Sequence, residues 1–193
     1  MERTQLAADV ERMAGNLGHL PEPEVNPVFV AISGLPGTGK TYFCSKLAER
    51  LPFVVLESDA LRKALFASPD YSLQESSRLF RAIHLLIERL LKKGISLILD
   101  ATNLTEQHRE YLYRIADRLQ VKLVLVGVEA PPEVVHRRLE SRRGNPGNKS
   151  DADWAVYQKM RPAAERIHRP HYVVDTSRDI TPVLDKIVKE VKR

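Results

Sequence analysis

The chain holds a single cysteine, Cys44, so no intramolecular disulfide can form, and the usage suits a reducing compartment. It has no unbroken apolar run of membrane-spanning length, which excludes a chain organised by spanning helices. No basic–apolar–small pattern opens it, so cytoplasmic location is the expectation. Rings are scarce as well, with one Trp, six Tyr and five Phe among 193 residues. His19, His136, His168 and His171 show no metal-ligand spacing with cysteine, which excludes a zinc module.

What remains is ordinary for a globular protein: 43% apolar and 28% charged residues, in a length that suits one domain. The net charge of +5 is uneven. Between Glu133 and Pro170 nine basic residues face five acidic ones, a local field that suits anionic ligands.

One stretch organises the rest. Gly34-Leu35-Pro36-Gly37-Thr38-Gly39-Lys40-Thr41 fits G-x-x-x-x-G-K-[ST], the phosphate-binding P-loop. The apolar run 28–33 before it reads as a buried strand, and 42–51 after it as a helix. The glycines let successive backbone N–H groups converge on phosphate, and the helix N-terminus adds partial positive charge. Lys40 is placed to reach the β- and γ-phosphates, and Thr41 to reach Mg²⁺.

Further strands are expected at 53–57, 95–99, 121–128 and 172–174. Helices are expected at 60–66, 74–93, 105–119, 131–143 and 150–167, with a final one after Pro182. Ser58 or Asp59 is the expected cap of the first of these, and Ser150 to Asp153 reads as a capping box. Short apolar strands alternating with helices give a three-layer α/β sandwich, a five-stranded parallel sheet covered on both faces. Residues 1–27 form an amphipathic helix and a Pro-rich connection, expected to pack on the outside of the domain formed by 28–193.

Ligands in such sheets bind at the carboxyl ends of the strands. Asp59, just past the second strand, is a candidate base for an attacking hydroxyl, with Arg62 one helical turn on. Asp100 closes an apolar strand in the manner of a Walker B carboxylate, a second Mg²⁺ ligand, and Thr102 and Asn103 can orient an acceptor. Arg138 and Arg142 share a helix face before the Gly144–Asn148 loop, the expected lid at about 137–150. His84 reads as a core or supporting residue, and Trp154 with Tyr157 as packing.

The order P-loop, Asp59-x-x-Arg62, Asp100-Ala101-Thr102-Asn103, Arg138-x-x-x-Arg142 resembles the kinase domain of 5′-hydroxyl polynucleotide kinases. It is similar also to zeta-toxin-like and uncharacterised P-loop kinases grouped near them, over about residues 28–167. The resemblance implies a P-loop kinase fold with ATP or GTP and Mg²⁺. It makes Asp59 the general base, Arg62 the holder of an acceptor-side phosphate, Asp100 to Asn103 the acceptor lining, and Arg138 and Arg142 lid arginines. Repair kinases often carry a phosphatase or ligase domain, and none is expected within these 193 residues, while the lid resembles more the uncharacterised relatives. RNA or DNA 5′ ends are the leading acceptors, a small alcohol the second. An NTPase switch would need no base for an alcohol, and a plain nucleic-acid-binding module would need no P-loop.

Overall fold

The computed structural model describes residues 2–142 and 152–192. The chain runs α1 (Glu2–Gly15), β1 (Val28–Ser33), α2 (Lys40–Ala48), β2 (Val54–Glu57), α3 (Ser58–Leu65), α4 (Leu73–Lys92), β3 (Leu97–Asp100) and α5 (Glu106–Leu119). It continues with β4 (Lys122–Glu129), α6 (Pro132–Arg142), α7 (Trp154–Met160), a 3₁₀ turn (Arg161–Ala163), β5 (Tyr172–Asp175) and α8 (Thr181–Val191). The five strands form one parallel sheet in the order β2-β3-β1-β4-β5.

Alternation along β1 explains the three layers. Phe29 and Ala31 point into a core shared with α1, α3, α4 and α5. Val28, Val30 and Ile32 point the other way, against Phe43 and Leu47 of α2 and Leu184 and Ile187 of α8. Both faces are therefore covered, which is why the strands read as continuous apolar runs. No described helix is long and apolar enough to cross a membrane.

The N-terminal helix lies on α3 and α4, with Val10 and Met13 buried in the first core. Asp9 is buried with it and takes two hydrogen bonds from Arg78 of α4, each 2.7 Å long. The Pro-rich connection is anchored too: the Glu24 amide donates to the Gly94 carbonyl and Ser96 Oγ donates to Glu24.

Two local expectations fail. The N-cap of α3 is Glu57 and makes no side-chain cap bond, so neither Ser58 nor Asp59 caps the helix; both lie inside its first turn. The helix expected over 150–167 is short. Asp153 caps α7 by accepting from the Val156 amide, and the α-helix ends at Met160, before Pro162. Proline lacks the N–H that would continue the ladder. Beyond the 3₁₀ turn the backbone serves another element: the Glu165 amide donates to Leu104 O instead of back along a helix. Ser150 and Asp151, like the Gly144–Asn148 loop and Arg143, lie outside the described residues.

Candidate nucleotide and phosphoryl-transfer site

In the sheet order, β1 goes out to β2 on one side while its other neighbour is β4, so the topology reverses at β1. Crevices open at such points. The loop after β1 is the Gly34–Thr41 stretch. Gly39 has φ +93°, and a Cβ there would come within 3.0 Å of Thr176 Oγ1. Gly37 has φ +77°, and its missing Cβ makes room for Val135 and Leu139 of α6. Side chains at either place would strain the loop or push a neighbour away. Thr38 Oγ1 and Lys40 Nζ both donate to the Leu35 carbonyl, at 2.8 and 3.0 Å, so the loop is closed on itself.

The register brings the carboxylates to one edge. Glu57 ends β2 opposite Asp100 at the end of β3. Thr41 Oγ1 donates to Asp100 Oδ2 at 2.6 Å, across the start of α2. Burial pushes the Asp100 carboxyl above its ordinary range, and Glu57 and Asp59 add to that while Lys40 and Thr41 oppose it. Burial likewise holds Lys40 below the ordinary lysine range, with Asp100 and Asp59 pulling it up and Arg142 pushing it down. Asp59, Asp100, Lys40 and Arg142 thus share one electrostatic neighbourhood. Cys44, buried beneath it, has its thiol pushed far up by burial and is inert.

The Asp100 carboxylate and the Thr41 hydroxyl, 2.6 Å apart at one edge, are donors that fit a hard, oxygen-seeking cation. No described group of three or more His, Cys, Asp or Glu is arranged to hold a metal on its own. Few protein ligands, with the rest from water and phosphate, is the habit of Mg²⁺. Thr41 and Asp100 are the residues that would hold it.

The other candidates separate. Arg138 donates to Thr176 Oγ1 (2.8 Å) and to Thr176 O (2.9 Å), while Thr176 Oγ1 donates to Thr38 O. Arg138 is thereby tied to the P-loop backbone, and Arg142, one turn on, is the arginine felt by Lys40. Arg62 is 7% exposed and ion-paired with Glu75. It also donates to Ser76 Oγ (3.2 Å) and lies under the Tyr71 ring, 4.7 Å from its centroid. Asn103 is buried, with φ 43°, and donates to Ile32 O at 2.7 Å. Its side chain secures β1, and Thr102 O accepts from the Gly34 amide, joining the loop to the P-loop. His84 is half-buried and stacks on Tyr111 (5.2 Å), with its imidazole pushed down to about 4 by burial and then by His108. Trp154 stacks on Tyr157 and meets His136 edge-on, which is packing between α6 and α7.

Three supporting residues escaped the sequence reading. Arg109 is 1% exposed and its guanidinium is saturated: by Glu106 (2.9 Å), by the carbonyls of Asn103 and Leu104, and by those of Glu165 and Arg166. Nothing local marks it, since its partners lie on two separate segments. Glu75 did carry a signal, because Ser72-Leu73-Gln74-Glu75 is a capping box and the Glu75 amide donates to Ser72 Oγ at 3.1 Å. Thr176 follows a short strand end, a place where ligand-side residues gather.

Known proteins share this architecture. The APS kinase CysC of Mycobacterium tuberculosis, solved with AMPPNP and APS, superposes with a TM-score of 0.64 over 90% of this chain and all of its own, at 18% identity. A gluconokinase from Sinorhizobium meliloti gives 0.63 over 88% of this chain and 94% of its own, at 17% identity. The fold is therefore the P-loop kinase fold. The UPF0200 proteins of Saccharolobus islandicus and Saccharolobus solfataricus are 27% identical over 123 residues, which is 58% of this chain. The match spans 63% of those relatives' own length. The AAA domain model AAA_33 matches residues 29–167, from the first strand through the P-loop to the segment beyond α7, and the chain belongs to that AAA domain family.

Proposed function

We propose that this chain transfers the γ-phosphoryl group of ATP or GTP to a hydroxyl, with Mg²⁺, and that a polynucleotide 5′-OH, on RNA or DNA, is the leading acceptor. The observation that carries the proposal is the placement of Asp59. It is not the cap of α3, yet its carboxylate bears on Lys40 and Asp100 at the P-loop edge. A switch NTPase has no use for a second carboxylate there. Two structures of the same fold bear kinase names, the same reaction class.

In this reading the P-loop amides from Gly34 to Thr41 hold the nucleotide's phosphates, and Lys40 offsets charge on the β- and γ-phosphates. Thr41 and Asp100 would hold Mg²⁺, which would supply neutralisation of phosphate charge. The acceptor oxygen attacks the γ-phosphorus, the bond to the bridging oxygen breaks, and a nucleoside diphosphate leaves. The hydroxyl proton passes to the Asp59 carboxylate. Arg142 answers the charge spread over the transferring group, while Arg138 holds the loop that binds it. The location proposed with it is the cytoplasm, a reading that the single, buried and unpaired Cys44 supports.

The test is γ-labelled ATP with Mg²⁺ and a panel of 5′-OH oligonucleotides and small alcohols. Label is expected on the oligonucleotide 5′ end. Release of inorganic phosphate alone, whichever acceptor is present, would exclude a kinase.

A further inference from the structure

A chain of hydrogen bonds enters the P-loop from outside it. Arg138 of α6 donates to Thr176 Oγ1 (2.8 Å) and to Thr176 O (2.9 Å), just past the end of β5. The Thr176 hydroxyl has one proton, and two carbonyls lie within its reach. Glu129 O, 3.4 Å away, already accepts from the Thr176 amide at 3.0 Å. Thr38 O is the nearer and takes the proton. The guanidinium that donates to Oγ1 strengthens this bond, because hydrogen bonds in a chain polarise one another. Thr176 is 8% exposed, so water has little access to compete.

The place where the chain ends matters. The Leu35 carbonyl closes the loop locally by taking Thr38 Oγ1 and Lys40 Nζ. Thr38 O is instead held by a residue 138 positions on. In a trans peptide the N–H points away from the C=O that precedes it. Turning Thr38 O toward Thr176 therefore turns the Gly39 N–H to the opposite side. Gly39 is the N-cap of α2 and makes no side-chain cap bond. The amides that open a helix lack intrahelical acceptors and are left for a ligand. Glycine is required for the approach, since a Cβ at Gly39 would stand 3.0 Å from Thr176 Oγ1 and 3.2 Å from its Cβ and Cγ2. Helix α6 reaches the loop a second time, where Val135 and Leu139 fill the space that a side chain at Gly37 would need.

We infer that Thr176 is a positioning residue of the donor site: its hydroxyl, oriented by Arg138, sets the Thr38–Gly39 peptide so that the Gly39 amide faces the phosphate chain of the nucleotide. The grip of the loop on phosphate then depends on where α6 stands, because Arg138 couples that helix to the hydroxyl. The inference rests on the donor half of the kinase reading above and adds the residue outside the loop that orients it. The loop's own closure through Leu35 is independent of this tether.

Calorimetric titration of the full chain with ADP and Mg²⁺ and, separately, with inorganic tripolyphosphate and Mg²⁺ reads the donor site without any acceptor. Thr176→Val keeps the shape and drops the hydroxyl. It is expected to raise Kd for both probes by about tenfold, the scale of one hydrogen bond to a charged group. Thr176→Ser keeps the hydroxyl and should stay within about threefold of the wild type. Arg138→Gln, at the other end of the chain, should raise both values as well. The double variant should be no worse than the worse single one, because both act through one bond. A loss confined to ADP would set Thr176 against the base or ribose and overturns the inference. So do unchanged values, or a loss that Thr176→Ser shares, which would be packing of the methyl group. Additive losses in the double variant would mean that Arg138 meets phosphate itself, and they overturn it too. A wild type that binds neither probe removes the donor site and the kinase reading together. Binding that responds as expected, with no transfer to any acceptor, sinks the kinase reading alone.

Discussion

The two sides of the crevice are built differently. On the proposed reading the donor side is one contiguous stretch, Gly34 to Thr41, which would offer a nucleotide mostly its own backbone N–H groups. Its internal bonds are short in sequence, such as Thr38 and Lys40 to Leu35. The proposed acceptor side is assembled from segments far apart. Arg109 joins the 103–104 turn to 165–166, and Arg62 joins α3 to α4. Asp9 of α1 braces α4 from behind through Arg78. Phosphate is a uniform target, so a fixed backbone nest serves it in any protein. An acceptor varies, so side chains from many elements must be set against one another. The lesson is that the donor half is portable and the acceptor half belongs to this tertiary structure.

The difference can be broken first at Asp59. Asp59→Asn keeps the shape but cannot take a proton. Transfer to an alcohol is expected to fall by about 10²–10⁴-fold with nucleotide affinity nearly unchanged. A mutant that no longer bound nucleotide would move Asp59 to the donor side and blur the division. Lys40→Ala attacks the donor half, and turnover should drop at least about 10²-fold for every acceptor, the scale of a lost electrostatic contact in a dry site. An unchanged rate would take the P-loop out of the reaction.

Arg109→Met tests the assembly of the acceptor half. It takes a donor from four backbone carbonyls, of which Asn103 O keeps Ser33 Oγ and Leu104 O keeps the Glu165 amide, and leaves Glu106 without its partner, so denaturant unfolding should show a loss of about 2–4 kcal/mol. A loss under about 1 kcal/mol would mean that water replaces the arginine.

The smallest effect is expected behind α4, where Asp9 of α1 meets Arg78. Asp9→Asn should cost about 1–3 kcal/mol, because Arg78 is partly exposed and recovers some hydration. The hydrogen bond from Arg78 holds the Asp9 carboxyl below its ordinary value, with burial opposing. Its contribution is therefore present above the unfolded carboxyl value, near 3.8, and is lost as pH falls through the lower folded one. Acid unfolding of the wild type and of Asp9→Asn should converge at low pH. Curves that stay parallel would deny the pair any role.

The P-loop, the five parallel strands, and Asp59, Asp100, Arg138 and Arg142 as residues of interest were legible in the sequence. Each signal is local: a glycine pattern between an apolar run and a helix, a carboxylate at a strand end, a spacing of four. The helix drawn from Ser150 to Ile167 was over-read, because apolar spacing says nothing of a backbone that bonds elsewhere, as Glu165 does to Leu104. Local pattern also could not show that Asn103 turns its amide to Ile32, or that Arg62 pairs with Glu75.

By itself, then, the sequence determined where the Gly-rich loop sits between strand and helix and how the sheet is layered, since backbone geometry and hydrophobic period are written in neighbouring residues. Only the tertiary structure decided which charges are free. Arg138 reaches Thr176, 38 residues on, and Thr176 reaches Thr38, 138 residues back. Whether a buried arginine answers a ligand or a neighbouring carboxylate depends on which groups folding brings within about 3 Å, and sequence distance does not measure that.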